Sequence, residues 1–237
     1  MRCRNCHGAH DIRKSRDPES HTYALNLPRT CGTCHGAKGR PPDGPLAGAK
    51  ETYTDYIDSV HGRAIAHAGF LVAANCSSCH GSHEIRHHQD PQSTVNRRNI
   101  AKTCGHCHSG IAQHFQASVH GRLLAEGSDK APVCIDCHSA HKIRNIHDPN
   151  WQLGVVAECG SCHPQSLTTF RDTFHGQVTS LGFTRVARCA DCHSSHDILS
   201  REDPASTVNE KNLVTTCGKC HAGATAGFVR YDPHADH

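Results

Sequence analysis

Apolar positions along this chain come in short bursts. Ile111, Phe115 and Val119 stand at i, i+4 and i+8, and Phe170, Phe174 and Val178 repeat that spacing. This is the period of one helix face, so both segments predict short amphipathic helices that place His120 and His175 beside an apolar stripe. No stretch alternates with the period of two expected of a half-buried strand. The longest apolar stretch, Ala64 to Ala74, contains His67 and is shorter than the ~18 residues a bilayer span needs. Asp17-Pro18, Asp90-Pro91, Asp148-Pro149 and Asp203-Pro204 mark turns or helix starts. The Gly/Pro-rich segment 37–50, AKGRPPDGPLAGAK, reads as an inserted surface loop or an interface arm. The expected fold is mostly coil with short α-helices, in one continuous body over residues 1–237.

Composition adds a difficulty. Hydrophobic residues are 36% of the 237, a figure that includes 16 Cys, and aromatics are 5%. Mean hydropathy is −0.57. A chain of this length normally buries a sizeable aliphatic core, and this one has too few such residues to do so alone. It also lacks the high net charge of a disordered chain. Cys and His together make 40 residues, so a metal or metal cofactor is the candidate filling. Nucleic acid is excluded as a partner because 25 Lys+Arg are nearly matched by 22 Asp+Glu and basic runs such as Arg97-Arg98 are short.

Every Cys lies in a C-x-x-C pair, and every pair is followed at once by His. The first four pairs are Cys3 with Cys6, Cys31 with Cys34, Cys76 with Cys79, and Cys104 with Cys107, followed by His7, His35, His80 and His108. The other four are Cys134 with Cys137, Cys159 with Cys162, Cys189 with Cys192, and Cys217 with Cys220, followed by His138, His163, His193 and His221. Zinc sites and redox dithiols also use C-x-x-C, but neither requires the histidine. Chance would give eight such successes on the order of once in 10⁸. Disulfides fit badly, because no Cys lies outside the motif. C-x-x-C-H is the attachment signature of c-type haem. Two thiols form thioethers with the porphyrin vinyls and the His coordinates iron, so eight covalent haems are expected.

Haem iron in electron-transfer cytochromes takes His or Met as its sixth ligand. The only Met is Met1, which leaves histidine. Internal repetition selects the candidates. After the first, third, fifth and seventh motifs a second His follows three residues on, at His10, His83, His141 and His196, each with Ile two residues later. After the second, fourth and sixth comes His-Gly, at His61, His120 and His175, and His234 holds the matching place after the eighth. Four dihaem repeats result, at about 1–61, 76–120, 134–175 and 189–234, with odd and even motifs 28, 28, 25 and 28 residues apart. The eight remaining histidines, among them the pair His87-His88, read as surface or propionate contacts.

Sixteen haem propionates would move the formal charge from +3 to about −13 reduced and about −5 oxidised. The holoprotein is therefore expected to be acidic despite a sequence pI of 8.2.

The motif density, the supply of bis-histidine ligands and the CHxxH…HG layout resemble the low-potential multihaem cytochromes c, of class III and related periplasmic or extracellular kinds. The resemblance implies closely packed haems passing electrons without substrate chemistry, and export from the cytoplasm, where no signal segment precedes Cys3. The ending GFVRYDPHADH is similar to the junction at which some multihaem domains enter a membrane cytochrome b.

The leading expectation is a non-enzymatic electron conduit with redox proteins or extracellular acceptors as partners. It could serve as a periplasmic shuttle, as a subunit of a membrane quinol-oxidising complex, or as a homopolymeric filament resembling cytochrome nanowires. If each His-Gly histidine ligates the next repeat's odd haem, His234 serves another subunit and head-to-tail growth gives an open polymer. A multihaem reductase of nitrogen or sulfur oxyanions needs an open iron, and a storage or structural role is the third reading.

Overall fold

The computed structural model describes residues 2–36 and 52–234. The expected loop at 37–50 lies outside the described residues. The described residues form short helices joined by turns and coil, with no strand among them. In chain order the helices are α1 (Arg4–His7), α2 (Leu27–His35), α3 (Thr52–Asp58), α4 (Val60–Ala66), α5 (Cys76–His80), α6 (Ile100–Gly105) and α7 (Ser109–Ala117). They continue with α8 (Val119–Ala125), α9 (Cys134–His138), α10 (Pro149–Cys162), α11 (Pro164–Asp172), α12 (Phe174–Ser180), α13 (Cys189–His193) and α14 (Leu213–Gly218). No described helix is long and apolar enough to cross a membrane.

Two compact units divide the chain, one of Met1–Thr103 with His138–Asn145, the other of Cys104–Cys137 with Ile146–His237. In the first unit α2 packs on α3 and α5, and α3 on α4. In the second α10 packs on α11, α11 on α12, and α7 on α8.

The Asp-Pro segments are turns for a local electrostatic reason. The carboxylates of Asp17, Asp90 and Asp203 accept from the N–H two residues on, at 2.9, 2.8 and 2.9 Å. Such side-chain closure of a turn is what Asp offers here. Those bonds, with Arg13 and Arg86 as further partners, hold Asp17 and Asp90 below the ordinary carboxylate range. Beside each turn a buried serine, Ser20, Ser93 or Ser206, donates to a carbonyl seven residues back. An asparagine, Asn26, Asn99 or Asn212, bridges two carbonyls of the turn. The third repeat departs from this scheme: Asp148 caps α10 through the Asn150 N–H at 2.9 Å, with Pro149 in its first turn. That longer helix goes with the 25-residue spacing of its two motifs.

The helices expected through Ile111–Val119 and Phe170–Val178 are each broken in two. Ser118 ends α7 and caps α8, and Thr173 does the same between α11 and α12. Each hydroxyl donates to the carbonyl three residues back at 2.6 Å and accepts from the glycine N–H three residues on at 3.1 Å. Ser59 repeats the arrangement at 2.6 and 3.0 Å. The cap competes with continuation of the helix, so the stripe does not persist across it, and Phe174 is 76% exposed.

The residue after each odd motif has positive φ: Gly8 81°, Gly81 74°, Ser139 60° and Ser194 68°. Ser194 has ψ 176°, a region that is essentially glycine's, and its hydroxyl donates to Asp197 in partial compensation. Ser194→Gly is expected to raise stability by about 1 kcal/mol, read as an increase in Tm of the holoprotein.

Candidate haem-ligand sites

The motif places its donors by helical geometry alone. Residues three and four apart share a helix face, so the second Cys and the His of each motif line up with the first Cys. The third, fifth and seventh motifs coincide with α5, α9 and α13. Their starts are secured locally: Asn75 caps α5, Asp136 accepts from Val133 N–H at 2.6 Å, and Asp191 accepts from Arg188 N–H at 2.8 Å. Two of their ends are tied as well, because the Thr94 and Thr207 hydroxyls donate to the Cys79 and Cys192 carbonyls at 2.5 Å. The even motifs lie at helix ends, with His35 closing α2, His108 preceding α7 and His163 joining α10 to α11.

No disulfide joins any of the sixteen cysteines. The first Cys of a motif is half-buried throughout, except for exposed Cys3. The second is exposed at Cys34, Cys107, Cys137, Cys162 and Cys220, and half-buried at Cys6, Cys79 and Cys192. Seven of the eight motifs thus turn the first thiol inward, and five turn the second toward the surface.

Imidazoles from distant parts of the sequence face one another. Ring centroids are 6.0 Å apart in His7–His83, His80–His141, His175–His221 and His193–His234, and 6.3 Å apart in His120–His163. An imidazole nitrogen lies about 2 Å from a first-row metal ion and about 1 Å from its own ring centre, so two trans ligands have centroids about 6 Å apart. The His87–His88 pair, at 4.2 Å, shows what ordinary ring contact looks like in this chain. Each 6 Å pair joins a proximal candidate with a recurrent extra histidine. Each pair would therefore fit one haem iron between its two imidazoles. Among the described residues no group of three or more His, Cys, Asp or Glu converges to hold a bare metal ion.

The register is not the one in which each His-Gly histidine serves the next repeat's odd motif. His120 and His175 face His163 and His221, the even motifs of the following repeat. His234 faces His193 within its own repeat. The capped helix starts place the His-Gly histidine on the second residue of α8 and α12, and Gly121 and Gly176 let those turns lie against the Phe115 and Phe170 carbonyls, where a Cβ would collide. Odd motifs are instead met by the CHxxH histidine of the following repeat, as in His7–His83 and His80–His141.

His61 is the second residue of α4, and half-buried His196 follows α13. His10 is exposed and His35 half-buried. Among the described residues no imidazole stands opposite either of these two.

Burial first, with neighbouring histidines in support, pushes His80, His120, His175 and His193 below the ordinary imidazole range. Burial does the same for His141 and His196, against the opposing charges of Asp55 and Asp197. The neutral ring this favours is the form that binds metal.

Thiols of successive motifs also meet. Cys31 bonds Cys76 and is held down to about 7, and Cys104 bonds Cys134 and is likewise held to about 7. Cys189 is lowered by its bond to Cys159. The partners Cys76, Cys134 and Cys159 are pushed up by the same bonds and by burial. Cys137 keeps an exposed edge, yet desolvation by its surroundings, then the charge of Cys159, pushes it up to about 11.

Three contributors escaped the sequence reading. One is the Ser/Thr cap two residues before each His-Gly, visible in SVHG, SVHG and TFHG as a recurrent hydroxyl. Another is Thr169 on α11, 3.2 Å from Nδ1 of His234. Its hydroxyl donates back to the Gln165 and Ser166 carbonyls at 3.3 Å, leaving the oxygen to accept from His234 in the tautomer protonated at Nδ1. The last is Phe228, whose ring lies 4.9 Å from that of His221.

No family model matches the chain, and no solved structure matches it. It is 26% identical over 139 residues to the cytochrome c-type protein NrfB of Escherichia coli, an alignment covering 56% of this chain and 71% of that protein. This chain is similar to a multihaem c-type cytochrome. With the motifs, that likeness supports covalently bound c-type haem and a part in electron transfer.

Proposed function

We propose that the chain is an octahaem, bis-histidine c-type cytochrome that conducts electrons outside the cytoplasm and catalyses no substrate chemistry of its own. The observation that carries this reading is the set of imidazole pairs at the span of two axial iron ligands. Bound haem supplies one-electron exchange between ferric and ferrous iron at low potential. The chain contributes the rest. Cys pairs would anchor each ring, the proximal His would be fixed by the same helical turn, and the second His would come from another repeat, as His83 does for His7, or from the same repeat, as His234 does for His193.

Within each unit, neighbouring motifs in sequence meet in space. Within the first unit Cys31 meets Cys76, joining the second motif to the third. Within the second, Cys104 meets Cys134, Cys137 senses Cys159, Cys159 meets Cys189, and Cys192 senses Cys217 and Cys220. Within each unit these anchoring edges adjoin, and electrons would pass between the motifs so joined. Acidic propionates would favour basic redox partners.

Potentiometric titration followed by absorbance tests the reading. All eight haems are expected to reduce reversibly at potentials below those of His/Met cytochromes. Haems that do not titrate, or a majority of high-spin signal, would overturn it. Thr169→Val should shift the potential of one haem only, because the Nδ1 partner tunes ligand basicity, and Thr169→Ser should restore it.

A further inference from the structure

We propose that the position six residues before each His-Gly histidine is where the chain sets the potential of the haem served by the histidine it faces. That position is held by Asp55, His114 and Thr169, and the histidines they face are His141, His196 and His234. This rests on the octahaem reading and deepens it, because it says how repeats of one design differ electrically.

The backbone fixes the first two of these meetings. The Val60 N–H donates to the Ile143 carbonyl and the Val119 N–H to the Ile198 carbonyl, both at 2.9 Å. Each capped helix start thus docks on a CHxxH segment, two residues past its second histidine. Five residues back from those valines, on α3 and α7, stand Asp55 and His114. Asp55 pairs with the Lys142 ammonium at 3.4 Å, and its charge acts on His141. His114 acts in the same way on His196 and on Asp197. At the first meeting the helix carries the anion and the segment the cation, and at the second the segment carries the anion. The third meeting is direct, with Thr169 on α11 lying 3.2 Å from Nδ1 of His234.

Packing does not account for this variety. The next position along the same helices repeats an aromatic ring, at Tyr56, Phe115 and Phe170, whereas the position before it changes from carboxylate to imidazole to hydroxyl. A negative charge or a hydrogen-bond acceptor beside a ligand imidazole makes the ring more basic, favours ferric iron and lowers the potential. A positive charge does the reverse. Asp55, His114 and Thr169 are positioning residues in this sense, acting on the iron through the histidine.

The test uses holoprotein whose intact mass has first been measured, so that a failure of the octahaem reading shows before any titration begins. Potentiometric titration followed by absorbance is then run on each variant. Asp55→Asn is expected to raise, and Lys142→Gln to lower, the potential of one haem, with the rest of the curve unchanged. Both substitutions break the same ion pair, so a merely structural role would move both in the same direction. Thr169→Asp should lower the potential of a single haem. Asp58→Asn removes an equal charge from the exposed end of α3 and should move nothing. Shifts of one sign in Asp55→Asn and Lys142→Gln would overturn the proposal, as would an unmoved curve in any of the three or an equal shift in Asp58→Asn.

Discussion

Produced without haem attachment, the chain is expected to show no cooperative thermal transition and a circular dichroism spectrum poorer in helix than the holoprotein's. The buried apolar side chains among the described residues are Ile65, Ile100, Ala101, Ala131, Val133, Val156 and Phe170. Ordering the backbone costs about 1–2 kcal/mol per residue, and apolar burial returns only about 25 cal/mol per Å². A handful of aliphatic residues does not meet that cost across more than two hundred positions. On the proposed octahaem reading, covalently held porphyrin faces would provide the missing apolar surface, and iron–histidine pairs such as His7–His83 would tie one repeat to another. Folding and cofactor binding are then one process, as in small metal-dependent domains. A sharp melting transition in the apoprotein would show that side chains suffice.

His83→Ala is expected to add one high-spin haem to the holoprotein, with one more carbon monoxide bound per chain than in the unsubstituted protein. His83 faces His7 with the planes 18° apart, so removing it leaves that iron with a protein ligand on one side only. The proximal bond and both thioethers, at Cys3 and Cys6, stay, and the haem count does not change. His87→Ala is the matched control. It lies four residues further on, its ring packs on His88 at 4.2 Å, and the spectrum should not move. The same change in both variants would contradict the assignment of distal ligands.

The two kinds of information in the site were unequally legible. The anchoring half is local: Cys, Cys and His within five residues fix a helical turn and its chemistry together, so the sequence alone displays the eight motifs. The recurrence of CHxxH and His-Gly was also visible. Their pairing was not. His7 and His83 lie in different repeats, as do His120 and His163, and nothing in the residues between them states which ring closes against which. The helical stripes misled for a related reason. Periodicity of Ile111, Phe115 and Val119 is real, but Ser118 offers the backbone a cap, and one hydroxyl with two hydrogen bonds outweighs the pattern. That break is also what places His120 at the start of α8. His234 shows the opposite case: it lacks the following glycine, and it faces a motif histidine in its own repeat rather than the next.

The central claim is that the chain is built around eight covalent haems, and the intact mass of the purified protein tests it most directly. The expected value is the polypeptide, 25.7 kDa, increased by eight haem masses and unchanged by denaturation. A polypeptide mass without that increment, or with fewer than eight, would contradict the account.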